Sequence, residues 1–166
     1  VVLQLPELGA NRIVNLDECG ITIPNAIPDM LGKATIEFWM RNDRNLNYSH
    51  QVGPGWGKFL FHNNSNGTLS VGWESNTTDR LNVSSVFSTT KKWNHIAIVI
   101  NDNVLTLYVN GTRKGAITSK TYSGLPSFGD LQFGHTDTNN WWVGGLDEIR
   151  VWRTARENPA EVVKSE

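Results

Sequence analysis

The segment Trp141-Trp142-Val143-Gly144-Gly145-Leu146-Asp147-Glu148-Ile149-Arg150-Val151-Trp152 constrains the fold more than any other stretch. It reads as a long β-strand, with Trp142, Gly144 and Leu146 on one face at period 2 and Ile149 and Val151 in the opposite phase. A regular strand would leave one of these sets in solvent. One extra residue near Asp147-Glu148 restores the phase, because it moves every later side chain to the other face. The sequence therefore predicts a β-bulge there and a strand that lies in the core along its length, with Trp141 turned the other way. This segment closes the β part of the chain and has to fit between strands made earlier.

The rest of the chain carries the same signals. Leu3 and Leu5 alternate and stop at Pro6, as in an edge or terminal strand. Arg12–Leu16 and Gly20–Ile23 read as short strands around an Asp17-Glu18 turn, and Pro24–Asp29 as a loop. Thr35–Arg41 alternates cleanly, with Ile36, Phe38 and Met40 inward and Glu37, Trp39 and Arg41 outward. Asn42 to Lys58 is a long irregular tract, and tracts of that length in small domains are commonly functional or mobile. Strands follow at Lys58–His62, Thr68–Glu74, Leu81–Phe87, Trp93–Ile100, Val104–Val109, Thr112–Ile117 and Leu131–Gly134. Asn110-Gly111 predicts a type I′ hairpin, since both residues tolerate positive φ. The one helical candidate is Asn158–Lys164, opened by Pro159. No repeat or linker divides the chain. The expected fold is all-β, a two-sheet antiparallel sandwich over residues 1–166 as a single domain. The start at Val1 without Met suggests a domain excised from a larger chain.

A chain of 166 residues can bury a sizeable core without a metal or disulfide. Cys19 is the lone cysteine, which excludes an internal disulfide, and its apolar neighbours make it a small core residue. A formal charge of -1 and pI near 6.5 argue against nucleic acid and anionic membranes as partners. No apolar run reaches the roughly 18–20 residues that a membrane-inserted helix needs. Seven Trp are more than such a core uses, and charged residues are only 19%. An Asn-, Ser- and Thr-rich surface with surplus indoles suits an extracytoplasmic protein, secreted, periplasmic or on the cell surface.

Three segments together resemble the laminin G-like, concanavalin A-like lectin/glucanase superfamily, in its bacterial and pentraxin-related branch. They are Thr35-Ile36-Glu37-Phe38-Trp39-Met40, then Trp93-Asn94-His95-Ile96-Ala97 leading to Leu107-Tyr108-Val109-Asn110-Gly111, then Gly144–Trp152. The resemblance runs from about residue 10 to 155 and implies a jelly roll. It also places Trp142 at a buried aromatic position. The pentraxin cysteine pair is absent, and the calcium-ligand cluster of pentraxins has no clear counterpart. The superfamily includes glycan-binding modules, adhesion domains, glycosidases and structural spacers, so the resemblance leaves function open.

Catalysis has little support in the residues. Glucanases of the superfamily carry alternating carboxylates on one strand, and retaining chemistry needs a pair about 5–5.5 Å apart. Here Asp147 and Glu148 are adjacent, Glu37 stands alone, and Asp147 suits a structural bond to backbone amides at the bulge. His50, His62, His95 and His135 lack a nucleophile context, and no catalytic residue is assigned. The sequence identifies no cofactor with certainty. Calcium remains a candidate through Asp102 with Asn101 and Asn103, or Asp137 with Asn139 and Asn140, although turn chemistry explains both groups.

Glycans are the better candidate ligand. Sugars offer C–H faces to aromatic rings and hydroxyls to amides and charged groups. Such mixtures occur at Tyr48, His50 and Trp56 in the long tract and at Asn139, Asn140 and Trp141 before the last strand. Six Asn-x-Ser/Thr triplets, at Asn47, Asn63, Asn66, Asn76, Asn82 and Asn110, leave glycosylation of the chain undecided. The expected function is a non-catalytic carbohydrate-binding or adhesion module, binding a glycan or polysaccharide beside other domains of its parent. The alternatives are a structural or protein-interaction module of the same fold and, third, a glycoside hydrolase.

Overall fold

In a computed structural model of the chain, the structure describes residues 3–4, 14–16, 20–27, 32–44, 49–53, 59–73, 79–87, 90–125, 129–134, 142–157 and 159. All regular elements among these are strands. They are β1 (Leu3–Gln4), β2 (Val14–Leu16), β3 (Ile21–Ile27), β4 (Lys33–Asn42), β5 (Ser49–Val52), β6 (Phe59–Asn63) and β7 (Leu69–Trp73). After these come β8 (Arg80–Val83), β9 (Trp93–Asn101), β10 (Val104–Val109), β11 (Thr112–Thr118), β12 (Gly129–Phe133) and β13 (Gly144–Trp152). Apart from Pro159, the helical candidate lies outside the described residues, as do Cys19 and the Asp17-Glu18 turn.

The strands form two antiparallel sheets. Sheet I has seven strands in the order β1-β13-β4-β9-β10-β11, with β2 also pairing β13. Sheet II has six, in the order β3-β12-β5-β6-β7-β8. One core cluster draws on both, including Ile36, Phe38 and Met40 of β4, Phe59 and Phe61 of β6, and Ile96, Ile98 and Ile100 of β9. Phe38 meets Phe61 and Phe133 edge-on, with ring centroids 5.6 and 5.5 Å apart, so aromatic packing couples the two sheets.

The last strand behaves as its sequence demands. Its pairing with β4 shifts between Asp147 and Arg150, and Glu148 takes a positive φ of 49°. The bulge puts Trp142, Leu146, Ile149 and Val151 in one core cluster. Asp147 Oδ1 accepts the Glu148 amide at 2.8 Å, the structural role expected for it. Asn110 and Gly111 carry φ of 50° and 72°, as the predicted hairpin requires.

Three readings of the chain are corrected. β3 runs through Pro24 to Ile27, where a loop was expected. It is an edge strand, so the missing Pro24 amide leaves no ladder bond unmade, and the ladder shifts where Asn25 adopts a φ of 54°. Likewise, β5 lies inside the tract read as irregular. Its four residues are too few, and too polar, to show a strand period. β2 and β3 do not pair with each other: β2 joins sheet I and β3 joins sheet II.

Candidate functional site

Strand direction sorts the connections between the two ends of the sandwich. Gly144 pairs with both Asn42 and Leu16, and Arg41 pairs with Trp93, so β2 and β4 end where β13 and β9 begin. Ser49 pairs with Asn63, so β6 ends where β5 begins, and β12, whose last residue Phe133 pairs with Val52, runs toward that same end. The Trp142 amide donates to Gly134 O at 3.0 Å and the Asp43 amide to Val143 O at 3.0 Å, which joins these strand ends across the sheets. The connections 43–48 and 134–143 therefore spring from one end of the molecule, called here the loop end. The connection 53–58 leaves the opposite end of β5.

This division bears on the sequence candidates. Tyr48, Asn139, Asn140 and Trp141 belong to loop-end connections, and His50 belongs to the β5 segment that starts there. Trp56 belongs to the connection 53–58. The structures of Tyr48, Trp56, Asn139, Asn140 and Trp141 lie outside the described residues, as does the His50 side chain.

The described part of the loop end has a built surface that sequence reasoning did not single out. Across four strands of sheet I, Asn15, Gly145, Arg41 and Trp93 fall in one row. Gly145 has no side chain, so Arg41 can lie across β13 and donate from Nη2 to Asn15 Oδ1 at 3.0 Å. The same guanidinium grips Asp43, Nε to Oδ1 at 2.8 Å and Nη2 to Oδ2 at 2.9 Å. Its Cζ sits 5.3 Å from the Trp93 ring centroid. Hydrogen bonding to Asp43 raises the Arg41 pKa further above its ordinary range, against a small opposing effect of burial. The Arg41 and Asp43 side chains are each 25% exposed, which leaves guanidinium, carboxylate, amide and indole within reach of solvent. The signal was present as the outward phase of β4, but the Gly145 gap became meaningful only once the register was known.

The floor beneath this strip is closely packed. Trp142 is fully buried and donates from Nε1 to Asn42 Oδ1 at 2.8 Å. A Cβ at Gly144 would lie 2.0 Å from Arg41 O and 2.5 Å from Trp142 Cζ2, so the close approach of β13 to this floor admits only glycine. On sheet II, His50, His62, Ser70 and Asn82 pair in sequence across β5, β6, β7 and β8. Ser70 Oγ donates to Asn82 Oδ1 at 2.6 Å, and His62 is fully buried although Phe59 and Phe61, not His62, belong to the core cluster.

A second polar group lies further along the outer face of sheet I. Glu37 Oε1 accepts from Trp152 Nε1 and from Arg156 Nη1, both at 2.6 Å. Thr35 Oγ1 donates to Thr154 O at 2.8 Å and accepts the Arg156 amide at 3.0 Å. The segment after β13 is thereby strapped across β4, and Glu37 and Thr35 are fully buried although they point away from the core. His95 packs edge-on against Trp39 at 5.4 Å. Its Nε2 lies 3.9 Å from Glu37 Oε2. Burial chiefly lowers the His95 pKa, with Glu37 acting against it.

The described residues hold no group of three or more His, Cys, Asp or Glu able to bind a metal. Asp102 has a φ of 52° and Asn103 Nδ2 donates to Ser119 O at 3.2 Å, so both serve the β9–β10 turn. Asp137 and its neighbours lie outside the described residues. Of the Asn-x-Ser/Thr triplets, Asn63 is fully buried and Asn110 Nδ2 is engaged with Asn94 Oδ1 at 3.0 Å.

A family model described as the concanavalin A-like lectin/glucanases superfamily matches residues 18–162. The chain belongs to that superfamily. No curated protein matches it. Among solved structures it is similar to a candidate carbohydrate-binding protein from Bacteroides ovatus, at 19% identity and a TM-score of 0.68, over 82% of this chain and 42% of that one. It is similar to a heptameric pentraxin from Limulus polyphemus, at 18% identity and a TM-score of 0.62, over 87% and 73%. It is also similar to botulinum neurotoxin type C, which depends on interaction with two ganglioside molecules to enter cells, at 17% identity and a TM-score of 0.68, over 88% and 39%. At these identities the likeness is one of fold, and the chain spans about two fifths of the toxin and Bacteroides chains. The superfamily motifs acquire a second meaning in this light. Their inward residues build the core, while their outward residues Glu37, His95 and Trp152 converge on the strapped cluster.

Proposed function

We propose that the chain is a non-catalytic carbohydrate-binding or adhesion module, acting outside the cytoplasm as part of a larger protein. Its glycan site is at the loop end, formed by Tyr48, His50, Asn139, Asn140 and Trp141 over the Asn15–Arg41–Asp43–Trp93 strip. The observation that carries this reading is the common root of those five sequence candidates beside a solvent-accessible strip of guanidinium, carboxylate, amide and indole. The ganglioside dependence of the toxin and the carbohydrate description of the Bacteroides protein lend support of a general kind. Trp56, in the connection 53–58, is left out of this proposed site. Hydrolysis ranks below binding, because Glu37 is buried and tied to Trp152 and Arg156, and Asp147 is engaged at its own bulge.

The test is a glycan array spanning plant, host and microbial saccharides, followed by titration calorimetry on the best ligand. Trp141→Ala and Tyr48→Ala are expected to lower affinity about tenfold or more, equivalent to roughly 1.4 kcal/mol each, while Trp56→Ala leaves it unchanged. Absence of any binding across the array would overturn the proposal. A specific observation favours the second reading, a structural module: Asp43, Asn15 and Trp93 already engage Arg41. Binding that is indifferent to Arg41→Ala but lost in Trp141→Ala would put the ligand on the loops alone.

A further inference from the structure

Three buried groups on the outer face of sheet I make no hydrogen bond to any described residue: Glu37 Oε2, both ring nitrogens of His95, and Arg150 Nη1. Such groups are rare in folded proteins, and each calls for an explanation. These belong to one cluster. Glu37 comes from β4, His95 from β9, Glu148 and Arg150 from β13, and Arg156 from the strap. Arg150 Nη2 pairs with Glu148 at 2.9 Å, and Tyr108 of β10 stands opposite Ala97 in the row beyond Glu37. Glu37 Oε1 is committed to the strap, whereas Oε2 faces His95 across 3.9 Å without a hydrogen bond.

We propose that this cluster is a proton-operated latch: protonation of His95 releases the strap, residues 153–157, from the outer face of sheet I. With His95 neutral, the Glu37 charge is met by Arg156. A proton on His95 creates a second cation next to the same carboxylate and adds repulsion from Arg150 and Arg156. The cluster, balanced with Glu37 and Glu148 against Arg150 and Arg156, then carries an excess positive charge, and the cation that can reach water is the one expelled. His95 is 1% exposed on a central strand and cannot reach water, whereas the Arg156 side chain is 21% exposed on the segment that follows β13 and can. His95 Nε2 then closes on Glu37 Oε2, which gives each of these two atoms a partner, and Arg156 leaves with its segment. Release uncovers Trp152 and the Thr35 hydroxyl. Burial, which lowers the His95 pKa, keeps the latch closed until the medium is acidic. The device is independent of the glycan site.

Hydrogen exchange of the strap amides, corrected for intrinsic rates and followed by mass spectrometry from about pH 8 to about pH 5, tests it. The strap is expected to lose protection about tenfold or more at acid pH, while β4 and β9 keep theirs. His95→Gln, which cannot take the proton, holds the strap at both pH values, and Glu37→Gln frees it at both. A wild-type NMR titration of His95 serves if either variant folds poorly, and coincidence of its midpoint with strap opening supports the latch. Equal acid release in His95→Gln, unchanged strap protection, loss of protection throughout the domain in step with the strap, or separate midpoints would each overturn it.

Discussion

The outer face of sheet I carries the same triad of groups twice. At the loop end, Arg41 pairs with Asp43 and lies 5.3 Å from the Trp93 ring. Further along, Arg156 pairs with Glu37 and lies 4.7 Å from the Trp152 ring. The differences are in burial and in distance along the chain. Arg41 and Asp43 are two residues apart and each 25% exposed, whereas Arg156 and Glu37 are 119 apart and the carboxylate is fully buried. A local, wet pair holds little of the fold together and remains available to a ligand. A distant, dry pair ties one chain segment to another and leaves nothing for a ligand unless the tie opens.

The sharpest test of that contrast removes each carboxylate. Glu37→Ala strands the Trp152 indole and the Arg156 guanidinium, and is expected to lower unfolding free energy by about 3 kcal/mol in urea titrations. Asp43→Ala, at the matched position of the wet triad, should change it by less than about 1 kcal/mol. Equal effects would break the comparison. Next in size is Gly144→Ala, which drives a methyl group into Arg41 O and the Trp142 ring and should cost about 2 kcal/mol. Because it distorts the floor of the strip, it should also weaken glycan binding, whereas Glu37→Ala should leave binding intact in the molecules that remain folded.

The two triads were unequally legible. Local chemistry made the fold readable: the phase change at Asp147-Glu148 demanded a bulge, Asn110-Gly111 demanded a hairpin, and alternation in Thr35–Arg41 separated core from surface. The Arg41–Asp43 pair was local too, but its reach to Asn15 depends on a register that puts Gly145 between them. The Glu37–Arg156 tie could not be read at all. Nothing local marks two residues 119 positions apart as partners, and an outward Glu on a strand ordinarily meets water. β5 escaped notice for a related reason, since its four residues gain their pairing from β6 and β12 rather than from their own pattern.

Acid distinguishes the triads next. Burial holds the His95 pKa below its ordinary value of 6.5, so the unfolded chain takes up this proton first as pH falls. The contribution of His95 to stability is complete above about pH 6.5 and is lost progressively below it. Thermal denaturation from pH 8 downward should therefore show a decline that is smaller in His95→Gln than in the parent, with the two differing little near neutrality. A decline of the same size in both would remove His95 from the account.

The smallest expected change in stability tests the most. Arg41→Ala removes a guanidinium that is a quarter exposed, within two residues of its carboxylate, and salt screens what remains of the pair. Its unfolding free energy should stay within about 1 kcal/mol of the parent. Glycan affinity, by contrast, is expected to fall about tenfold, since Nη1, the guanidinium nitrogen that neither Asp43 nor Asn15 engages, is left to donate to sugar hydroxyls. Arg41→Lys sharpens the point, because it keeps the charge and loses the planar guanidinium, and should recover little of that affinity. If Arg41→Ala instead unfolds the domain as readily as Glu37→Ala, the wet triad is a second tie and the loop end loses its claim to be the binding face.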